Sequence, residues 1–179
     1  MKQVSRYHPL VVTLHWVLAA LIIAALTIGF FVLAAMPNSD PQKINVLRVH
    51  MAVGMLILTL MVIRFIVRTL TARPEKATTG YPLRDRIAPI THYGFYVLVL
   101  LMVGSGYTTG ILAGLPAIVF GGSGAPLPPS FEIYPSFVAH GYIATILAGF
   151  IVLHVLAALY HQFVMKDGLF RRMFFGRRV

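Results

Sequence analysis

The chain has 179 residues, of which 58% are hydrophobic and 11% charged, and its formal net charge is +10. A soluble domain carries about a quarter charged residues, so this composition predicts an integral membrane protein and argues against a nucleic-acid-binding domain, because the basic residues fall at the ends of apolar stretches. The absence of cysteine excludes disulfides, thiolate-bound iron–sulfur clusters, covalently attached haem and cysteine zinc sites.

Four apolar stretches follow one another along the chain, and each is long enough to cross a bilayer as a helix. They cover residues of about 10–36, 45–70, 89–115 and 136–165. The first is too long for a signal-peptide core, so we expect it to be retained. A turn at 37–42, a basic loop at 71–86 and a Gly- and Pro-rich connection at 116–135 separate them, and the last residues favour a short interfacial helix. The pattern predicts one domain over 1–179, an all-α bundle of four transmembrane helices.

The basic residues are distributed unequally between the two ends of these spans. Thirteen of the fifteen Lys and Arg residues fall at the end that holds both termini, and only Lys43 and Arg48 fall at the other. The positive-inside rule therefore predicts a multi-pass protein of the bacterial inner membrane with both termini in the cytoplasm. Arg64 and Arg68 lie deepest, and either side chain has the length to reach the interface.

Histidines are the unusual residues of the spans, since a polar ring in hydrocarbon is costly unless it has a partner. His140 and His154 are fourteen residues apart in the fourth span, so both rings leave one helix face, roughly 21 Å apart along the axis. His50 lies near the outer end of the second span and His15 near the inner end of the first. The depths pair His50 with His140 outside and His15 with His154 inside.

Two imidazoles that face each other from different helices form an axial ligand pair for a haem iron. The four histidines therefore predict two haems, one above the other. Cationic partners for the haem propionates are available in Arg48 and Lys43 outside and in Arg6 and the C-terminal basic residues inside. Gly54, Gly141 and Gly149 leave room beside the predicted ligands, although helix packing alone also favours glycine in spans.

The other three histidines have weaker functional signals. His8 precedes the first span and is predicted to be a surface residue, and His92 begins the third span, where hydrogen bonding at the interface is the simpler role. His161 lies two turns beyond His154 on the same face, so it has three candidate roles. It could contact a quinone headgroup, contact a propionate, or mark the membrane interface.

Longer motifs carry a resemblance to a known family. RYHPLVVTLHW, LRVHMAVGMLILTLMVIRFIVR, HYGFYVLVLLMVGSGY and HGYIATILAGFIVLHVLAALYHQFVMKDGLFRRM resemble the bacterial cytochrome b561 family over nearly the whole chain. The resemblance implies two haem b groups with His15, His50, His140 and His154 as ligands of the haem iron, and electron exchange with membrane ubiquinone. The segment from His154 to Met173 is most similar to the superoxide oxidase branch, whose members oxidise superoxide at the periplasmic face, and there His161 matches a residue at the quinone end.

The resemblance therefore implies an oxidoreductase that passes electrons from a periplasmic donor, with superoxide as a candidate, to ubiquinone. The connection IVFGGSGAPLPPSFEIYPS carries no Lys or Arg, which leaves little positive charge outside to attract an anion such as superoxide. One alternative is the haem-bearing membrane anchor of a larger respiratory enzyme such as a hydrogenase or formate dehydrogenase. A second is a carrier of metal ions or protons in which the histidines form a relay.

Overall fold

The computed structural model of the chain describes residues 4–74 and 82–176, with side chains described for 4–74 and 90–176. All the regular secondary structure in these ranges is helical, which confirms the predicted fold class. Four helices are long and apolar enough to cross a membrane, namely Pro9–Leu33, Gln42–Leu70, Ile90–Leu112 and Pro135–Met165. The predicted span limits agree with these to within a few residues.

The four main helices are α1 at Pro9–Thr27, α2 at Gln42–Leu70, α3 at Pro82–Leu112 and α4 at Pro135–Tyr160. A wider, π-helical turn continues α1 through Ile28–Leu33 and another continues α4 through His161–Met165. α1 and α4 both begin with proline, which has no N–H to leave unsatisfied in a first turn. The His8 ring also caps α1, since its Nδ1 accepts the Leu10 N–H at 3.3 Å.

The helices pack as two close pairs. Close main-chain contacts are concentrated between α1 and α2 and between α3 and α4, and among the described residues they are sparse between α4 and either α1 or α2. The main chain of α4 therefore lies further from α1 and α2 than from α3. The predicted histidines lie on these facing sides.

An apolar layer fills the middle of the bundle. Its fully buried members come from all four helices, namely Leu18, Ile57, Met61, Val99 and Leu147. Leu147 lies seven residues from both His140 and His154, so it shares their face at the midpoint between them. Ile57 lies at the same offset from His50 on α2. The layer thus separates an outer from an inner histidine level.

The connection between α3 and α4 caps one end of the bundle, as its composition predicts. It opens with a short π-helical segment, Pro116–Phe120, and then follows an irregular path. A second buried cluster fixes it to α2 and consists of Leu47, Leu115, Val119, Leu127 and Phe131. Polar contacts add to this packing, because the Asn38 side-chain amide donates to the Pro128 carbonyl at 2.7 Å.

The C-terminal segment folds back against the start of α1 at the opposite end. Within its described residues, which end at Gly176, this segment forms a 3₁₀ turn at Phe170–Met173 where the sequence favoured a short interfacial helix. The Trp16 indole donates to the Met173 carbonyl at 2.9 Å, and Arg6 Nη1 donates to the carbonyls of Phe174 and Phe175 at 3.2 and 2.7 Å. The described chain ends therefore lie together at one end of the bundle, while the side of the membrane that they face remains a prediction.

Candidate functional site

The outer level brings His50 of α2 and His140 of α4 together across the bundle. Their ring centres are 6.3 Å apart and the ring planes cross at 74°. Both side chains are partly buried. The pairing predicted from depth is therefore present as a spatial contact.

Hydrogen bonds orient the His140 ring. Its Nδ1 lies 3.0 Å from the Met102 carbonyl oxygen and 3.1 Å from Ser105 Oγ. A carbonyl oxygen only accepts, so the proton lies on Nδ1 and the lone pair of the ring is on Nε2. His50 differs, because its buried Nδ1 has no hydrogen-bond partner. A buried polar nitrogen without a partner is unusual and marks this ring as a candidate ligand.

Gly106 lets α3 approach the His140 ring. A Cβ there would lie 2.9 Å from His140 Cε1, closer than real Cβ contacts, and 3.1 Å from Nδ1, which is tighter than most. A Cβ at Gly29 would lie 3.7 Å from His50 Cε1, which is an ordinary contact. A Cβ at Gly54 would meet nothing within 4 Å, so open space adjoins α2 one turn from His50. The same holds for the other two glycines singled out in the sequence, Gly141 and Gly149.

The inner level repeats this geometry with His15 of α1 and His154 of α4. Their ring centres are again 6.3 Å apart and their planes again cross at 74°. Two side chains of α3 also contact His154, with ring centres at 5.9 Å for His92 and 5.3 Å for Phe95. Three imidazoles from three helices therefore converge at this level.

The separation within each pair has a chemical meaning. Because an imidazole nitrogen binds a first-row metal ion at about 2.0–2.1 Å and lies about 1.1 Å from the centre of its ring, two imidazoles on opposite sides of one ion have ring centres about 6.3 Å apart. The separation in each pair would therefore suit one metal ion held between the two imidazoles. Among the described residues no group of three or more His, Asp or Glu side chains could hold a metal ion.

The predicted propionate partners contact main-chain carbonyls. Arg48 is exposed, and its Nε donates to the Val119 carbonyl at 2.8 Å. Lys43 is buried, and its Nζ donates to the Met36 carbonyl at 2.5 Å. At the inner end Arg6 binds the C-terminal segment as described above. Of the Lys and Arg side chains that the structure describes at the outer end, Lys43 is buried and Arg48 is exposed, so Arg48 contributes the exposed positive charge there.

His161 lies in the π-helical turn at the inner end of α4, outside both histidine pairs. Its Nδ1 is 2.5 Å from the Asp167 carboxylate, and about 29% of each side chain is exposed. The other Asp167 oxygen accepts the Leu169 N–H at 3.1 Å. Burial raises the pKa of Asp167, but the hydrogen bonds from His161 and Leu169 outweigh it and leave the pKa below its usual value.

Sequence analysis missed two residues of the inner level, His92 and Arg64. The predicted third span begins near residue 89, which puts His92 at the surface, but α3 begins at Pro82 and carries His92 ten residues along the helix. Arg64 does not extend to the interface, because its Nη1 donates to the Tyr96 hydroxyl at 3.0 Å inside the bundle. Its spacing of fourteen residues from His50, equal to that of His140 and His154, is the signal that could have found it.

Comparison with known proteins agrees with this architecture. The family model for prokaryotic cytochrome b561 matches residues 6–176. A cytochrome b562 of Cereibacter sphaeroides is 29% identical over 177 residues, which cover 97% of this chain and 98% of that protein. Cytochrome b561 homolog 2 of Escherichia coli is 25% identical, covering 94% and 91% of the two chains. The probable superoxide oxidase CybB of Yersinia pestis is also 25% identical, covering 94% and 96%.

The match over nearly the whole chain confirms the family predicted from the motifs. Family membership implies haem b, and the four apolar helices agree with the lipid-embedded architecture of such proteins. The chain belongs to the prokaryotic cytochrome b561 family and is a multi-pass b-type cytochrome of the bacterial inner membrane.

Proposed function

We propose that the protein is a di-haem oxidoreductase that passes electrons from a periplasmic donor to ubiquinone in the membrane. The observation that carries the proposal is the pair of histidine contacts with the same 6.3 Å ring separation at two depths. One haem b at each level would supply a reversible one-electron couple. His50 and His140 would hold the outer haem, and His15 and His154 the inner one.

The chain contributes ligand orientation and a dry interior. The Met102 carbonyl fixes the proton of His140 on Nδ1, which leaves Nε2 as the coordinating atom. The sparse main-chain contact of α4 with α1 and α2 leaves width for flat macrocycles. The mid-bundle apolar layer excludes water between the two levels. Arg48 outside and Arg6 inside are the propionate partners that we propose.

The donor is proposed from a relative, since one similar protein bears the name superoxide oxidase. Two superoxide ions would each lose one electron and become dioxygen, while ubiquinone takes up both electrons and two protons to become ubiquinol. His161 and Asp167 lie at the inner end, where they could contact the quinone headgroup and carry protons to it. The single exposed outer cation, Arg48, predicts weak electrostatic attraction of the anion and hence a weak dependence of its rate on salt.

A visible spectrum and haem stoichiometry of the detergent-purified protein test the proposal. We expect sharp b-type bands on reduction and two haems per chain. His50→Ala should remove one haem and His154→Ala the other, with different bands lost in each. His8→Ala is the matched control, because His8 caps α1 outside both pairs, and it should keep both haems. A colourless wild type from haem-rich cells would reject the proposal and favour an ion carrier.

A second measurement separates an enzyme from the membrane anchor of a larger complex. In the purified chain alone, superoxide should reduce the haems, and the haems should pass the electrons on to added ubiquinone and convert it to ubiquinol. Haems that respond to dithionite but to neither superoxide nor ubiquinol would favour the anchor.

A further inference from the structure

Arg64 is a buried cation in a membrane-spanning helix, and the function proposed above gives it no role. Only 8% of its surface is exposed. Its Nη1 donates to Tyr96, while its buried Nε has no hydrogen-bond partner. A buried charge at this depth is costly and an unpaired donor adds to the cost, so a second partner is needed to explain this placement.

The register of α2 and α4 places Arg64 at the inner level. The two helices run in the same direction, and His50 of α2 faces His140 of α4. Arg64 follows His50 by fourteen residues, as His154 follows His140, so it returns to the same helix face about four turns further in. Arg64 also interacts electrostatically with both His15 and His154.

We propose that Arg64 is the positioning cation of the inner haem site and raises the reduction potential of the haem held there. Tyr96 of α3 holds the guanidinium beside the His15–His154 pair. The free Nε suits a carboxylate acceptor, and each haem carries two as propionates. The inference rests on the proposed function, because it needs a haem at the inner level.

The charge of Arg64 acts on the two oxidation states differently. Uptake of one electron lowers the charge of the site by one unit, and a nearby fixed positive charge in a low-dielectric interior favours that reduced state. At the outer level Arg48 is exposed and lies two residues from His50, about 200° round the helix. The buried cation would therefore make the inner haem easier to reduce than the outer one. This difference in potential favours electron movement from the outer level to the inner one.

Redox titration of the full-length protein in detergent, followed at the b-type bands, tests the proposal. The His50→Ala background isolates the inner haem. We expect Arg64→Gln to lower the midpoint potential of the inner haem by at least about 59 mV. For a one-electron couple this corresponds to a tenfold change in the redox equilibrium constant. Arg64→Lys, which keeps the charge, should retain most of the wild-type potential. Arg68→Gln is the matched control, one turn further along α2, and should shift the potential much less.

Each result decides between a redox and a purely structural role. An unchanged inner potential in Arg64→Gln, or an equal shift in Arg68→Gln, would overturn the proposal. If Arg64→Gln loses the inner haem but Arg64→Lys retains it, the positive charge is needed at this position and the proposal is supported.

Tyr96→Phe provides a second test, because it leaves Arg64 in place and removes the hydrogen bond between the two side chains. We expect the midpoint potential of the inner haem to fall by less than it does in Arg64→Gln. No shift in Tyr96→Phe, with haem lost from both Arg64 variants, would reject the role. A wild type without haem would instead reject the proposed function.

Discussion

Single residues decide how closely the helices approach the histidine rings. Gly106 is the clearest case, since its main chain lies against the His140 imidazole with no room for a side chain. Helical periodicity placed His140 and His154 on one face, and depth in the other spans was sufficient to match each of them with His50 or His15. It could not identify Gly106, since the need for a small residue there arises from the distance between α3 and α4.

Gly106→Ala should therefore disturb the outer histidine pair. The added Cβ would displace the His140 ring and stretch its bond to the Met102 carbonyl, at an overpacking cost of about 1–3 kcal/mol. We expect loss of outer haem, measured as haem per chain, and a lower melting temperature. Gly104→Ala is the control two residues away, where an added Cβ meets nothing within 4 Å. Equal haem content in the two variants would contradict the steric interpretation.

At the scale of elements, the ends of the helices differ most from what the sequence predicts. Hydropathy locates the spans well, but it does not reveal the π-helical turns that end α1 and α4, because tertiary contacts determine where a helix widens. After the second of these turns, Lys166 adopts a left-handed conformation with φ of 51°. The Asp167 carboxylate then contacts His161, the first residue of the turn, and accepts the Leu169 N–H.

The Asp167 carboxylate should stabilise this turn only while it is ionised. Because its folded-state pKa is lowered, its contribution is fully present above the ordinary value of 3.8 and is lost as pH falls through the lower folded value. Carbon-13 NMR of aspartate-labelled protein should show the Asp167 carboxyl titrating with a pKa below its ordinary value of 3.8. In His161→Ala that carboxyl should titrate at higher pH, and an unchanged titration would show that His161 is not the cause.

At the scale of the whole molecule, the bundle holds one histidine pair at each of two depths. Composition and span count were enough to predict four helices with both ends of the chain on one side. The separation into two close helix pairs was not predictable, since it depends on which faces meet. The distribution of Lys and Arg predicts the orientation in the membrane. It puts the connection between α3 and α4, which caps the bundle at the outer histidine level, in the periplasm.

Reporter fusions check this orientation. Green fluorescent protein at the C-terminus should fluoresce, because it folds in the cytoplasm. Alkaline phosphatase joined after Gly124, in the exposed connection between α3 and α4, should be active, because it requires the periplasm. The reverse pattern would mean that the positive-inside prediction is wrong for this chain.

The position of α4 in the chain also has a consequence for biosynthesis. α4 supplies one histidine to each pair, and it is the last of the four helices to leave the ribosome. Before α4 has been synthesised, α1, α2 and α3 can already lie in the bilayer, but neither pair can form. The nascent chain then contains His15 and His50 without their partners. A ribosome stalled before residue 140 would therefore leave a membrane-inserted chain in which neither histidine pair can form.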